Sequence, residues 1–259
     1  MMETQSKAST SPFEGEMFLY SQPELLNAEE HGDLGLITPK EQYGFIRSVR
    51  AVPITVSEIP SAAKHYPVIF SGVDSPALLA ILGIDDHNLF VDENGAWERN
   101  RYVPAYFRCH PFALASSEDE KLAVVIDRAA SSVSDSPEIP FYNGSELSPA
   151  IKDRVDFCVT FTGHRRQTAA FCEKLKELDF LIPRQITRRN DESDEESMVA
   201  MFAGVDGEKL KQLDDKLVVE LHANGMLPAI YAHLSSLENW NYLIYRNEAF
   251  LKTQKDSEN

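Results

Sequence analysis

Between Trp97 and Phe112 the chain concentrates side chains that recognise ligands. Trp97, Tyr102, Tyr106, Phe107 and Phe112 alternate there with Arg99, Arg101, Arg108 and His110. Aromatic faces attract cations and stack on flat molecules, and guanidinium groups give charge-assisted hydrogen bonds to anions. The mixture therefore suits a pocket for a small anionic or aromatic ligand, or a peptide. The competing reading makes the aromatics core residues of a sheet and pairs the arginines with surplus carboxylates. Tyr231, His233, Asn239 and Trp240 form a second candidate group, on the side of the last predicted helix that would complete the same site.

Other chemistries find less support. Arg108 would favour a thiolate at Cys109, and His110 is adjacent, but neighbours on a strand point to opposite faces, so this pair is not expected to meet. His222 and His233 fall on separate predicted helices with no spacing that forces them onto one metal, and no metal site is expected. The acidic run Asp191 to Glu196 lacks the central glycine and terminal spacing of a calcium loop. Gly204-Val205-Asp206-Gly207 has neither phosphate-loop spacing, so no nucleotide cofactor is expected. There is no GxSxG elbow for a serine nucleophile. An enzyme remains open only as a site that motifs do not reveal, with His110 or His233 meeting a carboxylate in a concave pocket.

Composition narrows the partners. With 25 Lys and Arg against 41 Asp and Glu, the formal net charge is -16. A negative field repels phosphate backbones and anionic lipid, so nucleic acid is not expected as a partner. Cys109, Cys158 and Cys172 show no CxxC spacing and read as reduced, buried thiols. The stretch Met1 to Tyr20 lacks the basic start and apolar run of a secretory leader, and no apolar window approaches the ~20 residues that cross a bilayer. A soluble, cytoplasmic protein without membrane insertion is expected, the alternative being export by a signal-independent route.

The elements that must position these residues are mixed. Strands are predicted at Pro53 to Val56 and Tyr66 to Phe70, with a short helix between them capped by Ser57 and another from Pro76 to Gly83. Asn94-Gly95 predicts a tight hairpin turn between Phe90-Val91 and Trp97, since both residues accept positive φ. Strands at Phe112 to Ser116 and Leu122 to Ile126 make an antiparallel meander. Residues 129–147 read as a flexible loop. Phe171, Leu175 and Leu178 predict a helix over Arg165 to Phe180, followed by strands at Leu181 to Thr187 and Met198 to Phe202. Asp214 to Asn224, stopped by Gly225, and Pro228 to about Tyr245 read as a C-terminal helical pair. The sum is an α+β fold with a mainly antiparallel sheet covered by helices. Residues 1–16 are expected to be disordered, 17–250 to form a single domain, and 251–259 to fray.

Several of these segments carry a family resemblance. Tyr66-Pro67-Val68-Ile69-Phe70, Leu82-Gly83, Asn88-Leu89-Phe90-Val91-Asp92, Gly95, Trp97, Tyr102-Val103-Pro104-Ala105, Arg108 and Pro111-Phe112 resemble the SapC family of bacterial proteins. So do Leu221, Gly225, Leu227, Ile230-Tyr231-Ala232-His233-Leu234, Ser236-Leu237 and Leu243. The family is named for a gene associated with a bacterial surface layer, and it is distinct from the peptide-transporter permease of the same name. The resemblance implies no catalytic residue. It leaves two expectations: an accessory or ligand-binding protein of the bacterial cytoplasm, or a surface-layer-associated interaction or assembly protein with a protein partner.

Overall fold

A computed structural model describes residues 17–116, 122–189 and 196–257. The chain forms two compact units, one from Met1–Pro39 with Cys109–Cys158, the other from Lys40–Arg108 with Val159–Asn259.

In the first unit, Phe112–Ser116 pairs antiparallel with Leu122–Asp127, which in turn pairs with Pro23–Leu25. Phe112, Val125 and Ile126 are all buried, Phe112 and its partner Ile126 on one face and Val125 on the other. There Phe112 meets Phe141 edge-on at 5.6 Å. Residues 129–147 carry four two-residue strands, two of which flank Gly35–Leu36 while the other two pair with each other.

The second unit is built on a five-stranded antiparallel sheet in the order Leu181–Arg189, Glu196–Val205, Val68–Phe70, Leu78–Ile81, Ala51–Pro53. The expected helix from Pro76 to Gly83 is thus corrected to a strand. Leu78–Ile81 lies between two partners and buries Leu78, Ala80 and Ile81, so ladder pairing and burial on both faces override the local proline and glycine signals. The neighbouring strand ends at Pro53. Thr55 rather than Ser57 then caps a 3₁₀ turn, Val56–Glu58, which leads into the helix Ile59–Ala62. At the predicted hairpin turn, Gly95 takes φ +69°, and Asp92 Oδ1 accepts from the Asn94 and Ala96 amides at 2.9 and 2.8 Å. Val91 and Trp97 then bridge.

Helices cover this sheet. The long helix Pro149–Glu177 begins sixteen residues before the expected start. Its later part inserts Phe171 and Leu175, with the Phe171 ring 6.3 Å from Phe70. Asp214 caps Asp215–Ala223 by accepting from the Leu217 amide. Beyond Gly225 the expected single helix is two, Met226–Ser236 and Asn239–Ser257, and the second continues past residue 251, where fraying is expected. Residues 1–16 and the acidic run, apart from Glu196, lie outside the described residues.

Candidate functional site

The two units share out the candidate residues of the aromatic and arginine segment. His110 belongs to the first unit, where its Nε2 lies 3.3 Å from Asp127 Oδ2 and its ring 5.3 Å from Tyr20. Asp127 also accepts from the amides of Ser21, Gln22 and Ala129. Burial alone would raise the Asp127 carboxyl, but hydrogen bonds from His110 and from the Gln22 and Ser21 amides outweigh it and hold the group below its ordinary range. The His110–Asp127 pair therefore anchors the chain before the first strand.

In the second unit Trp97 is a core residue, with Tyr43, Phe90 and Phe107 rings at 5.7, 6.2 and 5.9 Å. Tyr102 donates to Glu58 Oε1 at 2.9 Å, and Arg108 covers the Tyr102 ring at 5.6 Å. Arg99 and Tyr231 stand exposed. Asn239 spends its amide nitrogen on the carbonyls of Ala63 and Tyr66 at 2.8 and 3.0 Å, which pins the start of the last helix. Trp240 is buried, stacked on Phe202 at 5.6 Å. His233 is fully buried. Its Nδ1 donates to the Val68 carbonyl at 2.8 Å and its Nε2 accepts from the Val205 amide at 3.1 Å, so neither nitrogen remains for a ligand.

Arg101 is brought to the last helix. Its Nε donates to Glu98 Oε1 at 2.9 Å and its Nη2 to the Tyr242 hydroxyl at 2.9 Å, with the guanidinium 5.4 Å from the Tyr242 ring centre. Arg246 donates to the other Glu98 oxygen, to Tyr242 at 3.0 Å and to the Leu89 carbonyl. Burial would raise the Glu98 carboxyl, yet the two arginines outweigh it and hold it below its ordinary value.

A cleft of about 600 Å³ opens elsewhere in the second unit. Its walls are apolar: Val56 and Pro60 from the 3₁₀ turn and short helix, Phe171 from the long helix, Met226 and Ala229 from the helix after Gly225. Such a surface gains by losing water to an apolar ligand. The rim is polar, with Ser57, Gln167 and Asn224. Local chemistry holds each wall in place. The Val56 amide donates to Thr168 Oγ1 at 2.8 Å, tying the turn to the long helix. Gly225 at φ +78° lets the chain reverse, and Asn224 Oδ1 accepts from the Met226 amide at 3.1 Å.

A chain of hydroxyls leads from this rim inward, and its protons can be assigned by counting. Thr55 donates its only hydroxyl proton to Glu58 Oε2 at 2.8 Å. The 3.0 Å contact between Thr55 and Ser57 must then use the Ser57 proton, and the 3.1 Å contact between Ser57 and His164 must use a proton on His164 Nδ1. His164 so placed is a donor to Ser57, not a base that withdraws its proton. Glu58 accepts from the Thr55 hydroxyl and amide, from Tyr102 and from the Ala105 amide. That pattern fixes these polar groups in place.

Spacing does not single out Ser57 and His164, because 107 positions separate them. The available signal is Thr55-x-x-Glu58, a capping box that marks a helix start and fixes the turn bearing Ser57. Among the described residues no group of three or more His, Cys, Asp or Glu side chains is arranged to hold a metal ion. No described helix is long and apolar enough to cross a membrane. A family model described as SapC matches residues 26–243. No curated protein and no solved structure matches the chain.

Proposed function

The chain belongs to the SapC family, and on that premise we propose that it is a ligand-binding protein whose site is the cleft between the 3₁₀ turn, the long helix and Gly225. The ligand is a small amphipathic molecule, its apolar body against Val56, Phe171, Met226 and Ala229 and its polar end at Ser57, His164 and Asn224. The observation that carries this reading is the joining of an apolar hollow of about 600 Å³ to a rim whose Ser57 hydroxyl is already oriented by Thr55 and His164. Preorganised polar groups lose less freedom on binding, which favours recognition of one hydrogen-bonding head. Three buried cysteines, none of them in a disulfide, support a reducing, cytoplasmic setting for this activity.

The test uses a fluorescent fatty acid, cis-parinaric acid, titrated into the full chain. Saturable 1:1 fluorescence enhancement is expected. Ala170 is an exposed residue of the cleft lining, so Ala170→Trp fills the mouth without entering the core. It should weaken the probe at least about tenfold, since loss of apolar burial worth ~1.4 kcal/mol already does so. A folded Ala170→Trp protein that binds the probe as tightly as the parent would remove the proposal.

A further inference from the structure

Tyr242 receives hydrogen bonds from two cations on one oxygen. Arg101 Nη2 donates to it at 2.9 Å and Arg246 Nη1 at 3.0 Å. With both acceptor positions engaged, the phenolic proton must point away from both arginines, and among the described residues no acceptor receives it. Tyr242 is 39% exposed, so an anion can reach the residue from solvent.

Arg101 is in a similar state. A guanidinium has five N–H donors, and Glu98, His65 and Tyr242 engage three of those of Arg101. Burial first, then Arg101 and Lys64, hold His65 below its ordinary value, which disfavours a third cation there. Two arginines against the single carboxylate of Glu98 leave one positive charge in excess, on a chain whose formal net charge is -16. Glu98 also fixes both guanidinium groups, so little side-chain freedom remains to be lost when an anion arrives.

We propose that Tyr242, Arg101 and Arg246 form a carboxylate-binding site separate from the cleft. One carboxylate oxygen accepts the Tyr242 proton and the other an unspent N–H of Arg101, while Arg246 supplies charge and holds the phenol. A monoanion matches the single excess charge. A phosphate monoester dianion would meet repulsion from Glu98 that its second charge leaves uncompensated.

Titration calorimetry on the full chain at low salt tests this with three probes of one shape: benzoate, benzamide and phenyl phosphate. Benzoate should bind saturably, and the other two at least about tenfold more weakly. Tyr242→Phe keeps the ring and removes the proton. It should cost benzoate about tenfold or more, as expected for a hydrogen bond to a charged group. Arg101→Gln, at a half-buried position, should do the same and serves if the first variant does not fold. Glu98→Gln should strengthen benzoate binding by removing the opposing charge, whereas damage to a mere scaffold would weaken it. Ala170→Trp should leave benzoate unaffected, which separates this site from the cleft. Absence of saturable benzoate binding, equal affinity for benzamide, or unchanged affinity in folded Tyr242→Phe and Arg101→Gln would each overturn the proposal. Loss of benzoate on Ala170→Trp would do so as well.

Discussion

At His233 the cost of burial and the gain from hydrogen bonding can be separated. The imidazole sits between two strands, giving its Nδ1 proton to Val68 and taking the Val205 amide on Nε2, with Phe70 edge-on at 5.1 Å. A second proton would leave Nε2 facing a donor, and the charge would be buried beside the Arg184 guanidinium. Burial pushes the pKa down to about 4, and the bond to Val68 opposes this only in part. Below the ordinary value near 6.5 the unfolded chain binds a proton that the folded chain refuses until about pH 4. Stability therefore falls as pH drops through that window, by ~1.4 kcal/mol per unit and about 3 kcal/mol in all, and is independent of this group above it. His65 and His87 are lowered too, by burial first, and act in the same direction. Urea unfolding at pH 7.5, 6 and 5 measures the slope. His233→Leu should flatten it and also destabilise the protein at pH 7.5 by ~2–4 kcal/mol, since the Val205 amide is left buried without an acceptor. An unchanged slope in the folded variant would assign the effect to other groups.

The capping box at Thr55 does for an element what His233 does for a sheet. Thr55 and Glu58 satisfy each other's backbone and side chain, and the Val56 amide between them reaches Thr168. Thr55→Val keeps the shape and deletes two hydroxyl contacts, one to Glu58 and one to Ser57. A loss of ~1–2 kcal/mol in chemical denaturation is expected, together with weaker cis-parinaric acid binding, because Ser57 loses the neighbour that orients its proton. Intact probe affinity in a destabilised Thr55→Val protein would show that the rim does not depend on the cap. Signals of this local kind are what the sequence makes readable. Asn94-Gly95 forms its turn, Phe112–Ser116 pairs with Leu122–Asp127, and Asp214 and Gly225 bracket a helix, each from residues within a few positions of one another. Leu78–Ile81 is hidden because a four-residue apolar run between proline and glycine carries no period long enough to separate strand from helix. The cleft is hidden for a different reason: Ser57, Phe171 and Gly225 line one hollow only through the packing of three helices, and nothing local encodes that meeting. Trp97 suggests a ligand stacker by its type, yet its surroundings are Tyr43, Phe90 and Phe107.

Across the whole molecule the dominant electrostatic fact is the excess of 41 carboxylates over 25 lysines and arginines. Many of the cations are already engaged at the surface, as in Lys152–Glu146, Lys211–Glu208 and Arg47–Glu41, and exposed pairs of this type contribute little each. What remains is mutual repulsion among carboxylates that folding brings closer together. Salt shortens the Debye length from ~30 Å at 0.01 M to ~8 Å at 0.15 M, which removes repulsion across the surface more than it weakens pairs in contact. The melting temperature should therefore rise when potassium chloride is raised over that range. Benzoate binding at Arg101 and Tyr242 should strengthen over the same range, because the acidic surplus repels the anion at long range while the contact with the arginines is weakened less by salt. Measuring melting temperature and benzoate affinity in the same salt series tests both. A melting temperature that falls with salt would mean that paired charges, not the acidic surplus, dominate the surface energy. Benzoate affinity that falls with salt would mean that attraction to the arginines outweighs the acidic surplus at this site.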